Sequence, residues 1–148
     1  QPERPAAPSP TEAGQLVDMK ILLAEDNRVN QMLARKLIEA QGATVDVVSD
    51  GQQAVERLRE VGPDHYHLVL MDLQMPVMDG YTATQRLRAD RRFDNMPIVA
   101  MTAHAMVEEV ERCAALGMND HLTKPINPAK LYSTLARYLG QRRGVVAS

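Results

Sequence analysis

The stretch Leu68-Val69-Leu70-Met71-Asp72-Leu73-Gln74-Met75-Pro76-Val77-Met78-Asp79-Gly80 decides how the rest of the chain is read. Four apolar residues in a row, with no charge until Asp72, describe a strand buried on both faces. Such strands belong to parallel sheets covered by helices. The run stops at a single carboxylate, and Pro76 and Asp79-Gly80 mark the loop that follows. Ligands of open parallel sheets gather at the carboxyl ends of the strands, where Asp72 stands. A carboxylate there caps a turn or does chemistry; the flanking sequence separates the two.

Outward from this stretch, short apolar runs alternate with helical patterns. Residues 20–24 read as a strand ending at Glu25-Asp26, and Asn27 as the cap of a helix reaching about residue 41. Its apolar face is expected to be Val29, Met32, Leu33 and Leu37, and Gly42 to end it. Residues 44–48 are a second strand. Asp50-Gly51 opens a helix with Ala54, Val55 and Leu58 inward, closed by Gly62-Pro63. After the central strand, a helix carries Ala83 and Leu87, and the polar run 90–95 leads out of it. Residues 97–101 form a fourth strand ending at Thr102. The helix from about 105 to 116 is expected to bury Val107, Val110 and Ala114, and Gly117 stops it. A short strand, 120–123, reaches Lys124-Pro125, and a last helix starting near Asn127 turns Leu131, Leu135 and Leu139 inward. Five strand–helix pairs with right-handed crossovers make a doubly wound α/β fold with a five-stranded parallel sheet.

The chain has 148 residues, enough for one domain plus tails. Pro2, Pro5, Pro8 and Pro10 among Ala, Ser, Glu and Gly make 1–18 an extended linker, and 141–148, without periodicity, a fraying tail. With Gln at its start, the chain reads as a module of a longer protein. A formal charge of −2 argues against nucleic-acid binding, which calls for a basic patch. The single cysteine, Cys113, rules out an internal disulfide and fits a reducing compartment. No apolar run approaches membrane-spanning length and no signal peptide is visible, so this segment is expected in the cytoplasm, whether or not its parent chain is anchored in an inner membrane.

Every strand but the second ends in a residue suited to chemistry: Glu25 and Asp26, Asp72, Thr102 and Lys124. In a parallel sheet these ends share one edge. Three carboxylates brought together repel and raise one another's pKa. A hard divalent cation with oxygen ligands such as Mg²⁺, assisted by the Lys124 ammonium, relieves the repulsion. Asp72 is then the carboxylate placed to attack phosphorus and form an aspartyl phosphate, while Glu25 and Asp26 hold the metal directly or through water. Lys124 can pair with phosphoryl oxygen, Thr102 can donate its hydroxyl, and the backbone N–H groups of Leu73, Gln74 and Ala103 can complete a cradle.

This pattern resembles the receiver domain of bacterial two-component response regulators, over roughly residues 19–140. The resemblance rests on Leu22-Leu23-Ala24-Glu25-Asp26-Asn27, on Met71 through Gly80, on Met101-Thr102-Ala103 and on Leu122-Thr123-Lys124-Pro125. Each is weak alone; the four in order are specific. It implies the sheet order 2-1-3-4-5, a cis peptide before Pro125, and Mg²⁺-dependent phosphotransfer from a phosphohistidine to Asp72. The metal set it implies is Glu25, Asp26 and Asp72 with Gln74. The donor is a histidine kinase dimerisation domain or a histidine phosphotransfer domain, since none of the four histidines here has the helical His-Glu setting of a phosphodonor. Family precedent puts the docking surface at Val29, Pro125 and Ile126, and the switch at Thr102 with the residue at 121. The wording of 24–31 and 117–121 is similar to receivers attached to hybrid sensor histidine kinases; a stand-alone response regulator or an unphosphorylated docking receiver is the alternative.

Two positions depart from the family pattern. Glu25 stands where many receivers carry Asp, and His121 where a Tyr or Phe is usual. A histidine there can swing, or simply sit exposed. Other readings are weaker. An aspartate-nucleophile phosphatase wants a second acid two residues beyond the nucleophile, where Gln74 stands, and a nucleotide-binding module wants a Gly-rich first turn, where Glu25-Asp26-Asn27-Arg28 is acidic instead. His65 and His67 lack a third ligand and read as edge residues. His104 lies near the site entrance, and Cys113, Met101, Met106 and Met118 read as packing or interface residues.

Overall fold

The computed structural model describes residues 16–104 and 106–147, with 140–147 described by their backbone alone. Five parallel strands, β1 (Lys20–Ala24), β2 (Thr44–Val48), β3 (Leu68–Asp72), β4 (Ile98–Thr102) and β5 (Asp120–Thr123), lie in the order β2-β1-β3-β4-β5. They alternate with helices α1 (Arg28–Ala40), α2 (Gly51–Val61), α3 (Gly80–Arg88), α4 (Val107–Ala115) and α5 (Pro128–Ala147). A single 3-10 turn, Arg91–Phe93, follows α3 and drives Phe93 fully inside, so the polar run at 90–95 carries a core residue. No helix among the described residues is long and apolar enough to cross a membrane.

The two-residue period of the strands sorts the core into two layers. Ile21, Leu23, Leu68, Leu70, Val99 and Met101 face α1 and α5, where Ala34, Ile38, Leu131 and Leu135 meet them. Leu22, Ala24, Val69, Met71, Ile98 and Ala100 face the other way, onto Ala54 and Leu58 of α2, Ala83 and Leu87 of α3 and Cys113 of α4. Side chains pointing both ways from β3 and β4 are buried, as their uninterrupted apolar runs require.

Helix starts and stops follow local chemistry. Asn27, Asp50 and Asp79 cap α1, α2 and α3 by accepting from the N–H groups of Asn30, Gln53 and Thr82. Gly62 closes α2 at φ 87°, a conformation glycine adopts without penalty.

Three sequence expectations change. Val29, Met32 and Leu33 do not form the buried face of α1: they are exposed, Leu37 of the expected face is partly buried against the core, and the fully buried residues are Ala34 and Ile38, roughly a third of a turn further round. Val107 and Ala114 of α4 are likewise exposed, and the buried residue is Cys113. Both helices begin where the chain leaves the carboxyl edge of the sheet, and among the described residues no layer covers their outward apolar residues. At the termini, Leu16 belongs to the core: it is 1% exposed, and its N–H donates to the carbonyl of Gln41. The rest of the expected linker, 1–15, lies outside the described residues. The last helix continues through 141–147, beyond the expected end near Gly140, because Leu131, Leu135 and Leu139 anchor it on the sheet; Ser148 lies outside the described residues.

Candidate functional site

In-register pairing places the strand ends side by side. Ala24 pairs with Met71, Asp72 with Met101, and Thr102 with Thr123. Glu25, Asp72, Thr102 and Lys124 therefore meet along one edge, as the sequence suggested. With Asp26, Leu73, Gln74, Ala103 and His104 they line a cleft of about 190 Å³.

Asp72 ends β3 and is 3% exposed. Its Oδ2 lies 3.1 Å from Lys124 Nζ, and its Oδ1 accepts from the Gln74 N–H at 3.3 Å. Glu25, 1% exposed, presents Oε1 to the same ammonium at 3.2 Å, while its Oε2 accepts from the Asn27 N–H at 3.0 Å. Asp26 is exposed, yet oxygens of Glu25, Asp26 and Asp72 lie within 4.8 Å of one another. Lys124 is steadied from behind: its N–H donates to the Thr102 carbonyl at 2.8 Å, and a cis peptide links it to Pro125.

The loop after Asp72 folds back on it. The Gly80 N–H donates to the Leu73 carbonyl at 3.0 Å, and a Cβ at position 80 would come within 2.3 Å of the Asp72 carbonyl oxygen. Only glycine lets α3 start this close to the acid.

Burial is the main cause that pushes the Asp72 carboxyl up to about 6. The Glu25 charge and a hydrogen bond with Glu25 add to it, and Lys124 pulls the other way. Burial works against the Lys124 ammonium, but the Asp72 and Glu25 carboxylates outweigh it and hold its pKa above the usual lysine value. One ammonium thus serves two buried acids, with a third acid at the rim. Hard oxygens this close, short of positive charge, suit a small divalent cation.

Of the expected switch residues Thr102 lines the cleft, while His121 and the expected docking residues lie outside it. Val29 is 72% exposed and Pro125 is exposed, whereas Ile126 is buried in the layer under α5. His121 does not line the cleft; half-buried on β5, it lines a groove against α4 with Val110, Cys113 and Met118. His67 Nδ1 accepts from the Lys20 N–H at 3.0 Å at the far end of the sheet.

One residue of the cleft was not foreseen. Glu109 of α4 accepts the hydroxyl of Thr102 on Oε1 and that of Tyr81 on Oε2. The sequence shows three glutamates on this helix, Glu108, Glu109 and Glu111, and nothing in their spacing says which one faces the cleft.

Known proteins resemble this chain in sequence and fold. The family model of the response regulator receiver domain matches residues 21–136. Sensor protein GacS of Pseudomonas syringae pv. syringae is 40% identical over 124 residues, covering 82% of this chain and 13% of that protein. The osmosensing histidine protein kinase SLN1 of Saccharomyces cerevisiae is 35% identical over 129 residues, covering 85% of this chain and 10% of that protein. The chain thus spans about a tenth of the length of the curated relatives it matches. Among solved structures, the receiver domain of sensor histidine kinase PA1611 from Pseudomonas aeruginosa PAO1, crystallised with magnesium coordinated in its active site cleft, is 42% identical with a TM-score of 0.73, covering 82% of this chain and 98% of that one. The receiver domain of Saccharomyces cerevisiae Ssk1, in complex with the histidine phosphotransfer protein Ypd1, is 28% identical with a TM-score of 0.74, covering 81% of this chain and 88% of that one. In sheet order and over most of its sequence, the chain belongs to the response regulator receiver domain family.

Proposed function

We propose that this receiver accepts a phosphoryl group from a phosphohistidine onto Asp72, within a phosphorelay and as part of a cytoplasmic segment of a hybrid sensor histidine kinase. The observation that carries the reading is the setting of Asp72. Its carboxylate is buried at the end of the central strand, with one oxygen against Lys124 and the other against the Gln74 N–H, inside a cleft of further acids.

Glu25, Asp26 and Asp72, with Gln74, would hold Mg²⁺; three close carboxylates with one cation among them fit such an ion. When bound, the metal supplies positive charge that lets an anionic acid and an anionic phosphoryl group approach each other. The rest falls to the chain's own groups. An Asp72 oxygen forms the new O–P bond as the N–P bond of the donor breaks, its electron pair passing to the imidazole nitrogen. Lys124 pairs with phosphoryl oxygen, Thr102 donates its hydroxyl, and the N–H groups of Leu73, Gln74 and Ala103 supply the remaining donors. Thr102 is the switch residue, and His121 follows it from β5 by turning its half-buried ring.

A phosphohistidine helix would dock across Val29 and Pro125, whose exposed apolar surface flanks the cleft, with Ile126 supporting Pro125 from the core. The Ypd1 complex of a related receiver supports a partner of this class.

The test is intact mass after incubation with acetyl phosphate, with and without Mg²⁺, on wild type and Asp72→Ala. A Mg²⁺-dependent gain of one phosphoryl group in wild type alone is expected. An equal gain in Asp72→Ala, or no gain in wild type even with a phosphorylated histidine phosphotransfer domain, overturns the reading.

A further inference from the structure

The Thr102 hydroxyl has one proton and two acceptors within reach: the His104 carbonyl at 2.8 Å and Glu109 Oε1. It also accepts from the His104 N–H at 3.0 Å. A carboxylate is the stronger of the two acceptors, because its charge adds to the bond. Glu109 is itself held in place. Its second oxygen accepts from the Tyr81 hydroxyl at 3.1 Å, and the Arg112 guanidinium lies 3.8 Å from the centroid of the Tyr81 ring. One carboxylate on α4 thus ties the end of β4 to α3.

We propose that Glu109 is a positioning residue that holds the Thr102 hydroxyl in the unphosphorylated receiver and competes with the phosphoryl oxygens for it. The inference rests on the phosphoacceptor reading and adds to it a residue and a direction. For Thr102 to donate to a group on Asp72, its proton must leave Glu109, because a hydroxyl cannot make both bonds at once. Glu109 then turns away, and α4 loses its tie to β4 while keeping the one to Tyr81. Occupancy of Asp72 is in this way converted into a looser α4. Thr102 and Glu109 suffice for that step; the ring of His121 is not needed to start it.

The test is a double-mutant cycle read by the binding of beryllium fluoride, an inorganic stand-in for the phosphoryl group, to the 148-residue chain with saturating Mg²⁺. Calorimetry on wild type, Glu109→Ala, Thr102→Ala and the double variant gives four dissociation constants. Loss of one charge-assisted competitor is expected to tighten binding by about tenfold in Glu109→Ala. In the Thr102→Ala background the same change is expected to alter binding by less than about twofold, since the proton in dispute is gone. Glu109→Gln keeps an acceptor oxygen and the overall shape, and is expected to fall between wild type and Glu109→Ala. Equal binding by wild type and both Glu109 variants overturns the inference. So does a tenfold gain that persists without Thr102, because Glu109 would then act through its charge alone. Failure of wild type itself to take up the anion is a different result, and brings down the phosphoacceptor reading.

Discussion

On α2, Ala54, Val55 and Leu58 turn inward and are buried, as their spacing implies; Val29 and Met32 on α1, Val107 on α4 and Met106 just before it stand in solvent. The difference is one of place. The body of α2 lies over the flat of the sheet, where strands β1 and β3 offer Leu22 and Val69 to pack on. The first turns of α1 and α4 sit at the carboxyl edge, where the sheet has ended. The same edge holds the buried acids Glu25 and Asp72, and Val77 at φ 67°. Stability is concentrated in the body, and the edge departs from it in ways suited to binding.

The sharpest way to break this comparison is to truncate one apolar side chain on each side. Leu58→Ala opens a cavity beside Tyr66 and Val69, and is expected to cost about 2–5 kcal/mol in urea unfolding. Met32→Ala removes a side chain that is 70% exposed, and is expected to change stability by less than about 0.5 kcal/mol. Comparable losses would mean that α1 packs its outer face after all. If Met32→Ala left stability alone but slowed transfer from a phosphorylated histidine phosphotransfer domain, its apolar surface would belong to docking.

How much of this was legible in the sequence follows the same division. The strands could be read to within about a residue, because short apolar runs such as Leu68 through Met71, bounded by turn signals, fit strands buried on both faces. The inward leucines of α5, the cap at Asn27 and the helix start at Asp50-Gly51 were equally plain, whereas Asp79 read only as part of a turn. The convergence of Glu25, Asp72, Thr102 and Lys124 followed from parallel topology alone. What failed was the choice of face on α1 and α4. A helix carrying apolar residues on two sides gives periodicity no means of choosing between Val29 with Met32 and Ala34 with Ile38. Glu109 escaped for a related reason: only the rotation of α4 distinguishes it from Glu108 and Glu111. Leu16 was lost in a Pro-rich stretch whose composition hides a single anchoring side chain.

The buried acids allow a sharper comparison through pH. Asp72 titrates near pH 6 in the folded chain, against the 3.8 of an unperturbed group. The folded state therefore holds this proton more tightly than the unfolded one. Below about pH 4 both states are protonated and the site costs nothing; as pH rises toward 6 and beyond, the folded state is progressively penalised. Asp72→Asn removes that penalty. The variant is expected to gain on wild type between about pH 4 and 6 and to remain about 1–3 kcal/mol more stable above that range, as read by urea unfolding across a pH series. Saturating Mg²⁺ is expected to narrow the gap at pH 8 by stabilising wild type, and to have much less effect at pH 4, where Asp72 is protonated. A flat difference across pH would show that Lys124 already neutralises the site.

A smaller effect than at Asp72 is expected at Val77, and it bears on whether the edge is strained as well as charged. Its φ of 67° lies in the left-handed region, where a β-branched side chain crowds its own backbone. The penalty there is about 1–2 kcal/mol for an L-residue with a Cβ. Val77 is 77% exposed, so little packing offsets it. Glycine removes the crowding but adds about 0.5–1 kcal/mol of unfolded-state entropy to be overcome. Val77→Gly is therefore expected to be more stable than wild type by roughly 0.5–1 kcal/mol, seen as a higher urea midpoint with unchanged slope. If phosphotransfer slowed at the same time, the strain would be tied to function, with the exposed valine kept on the loop after Asp72 for a partner to touch. If stability fell instead, the loop would be drawing support from that side chain, and the edge would be built more like the body than its exposure suggests.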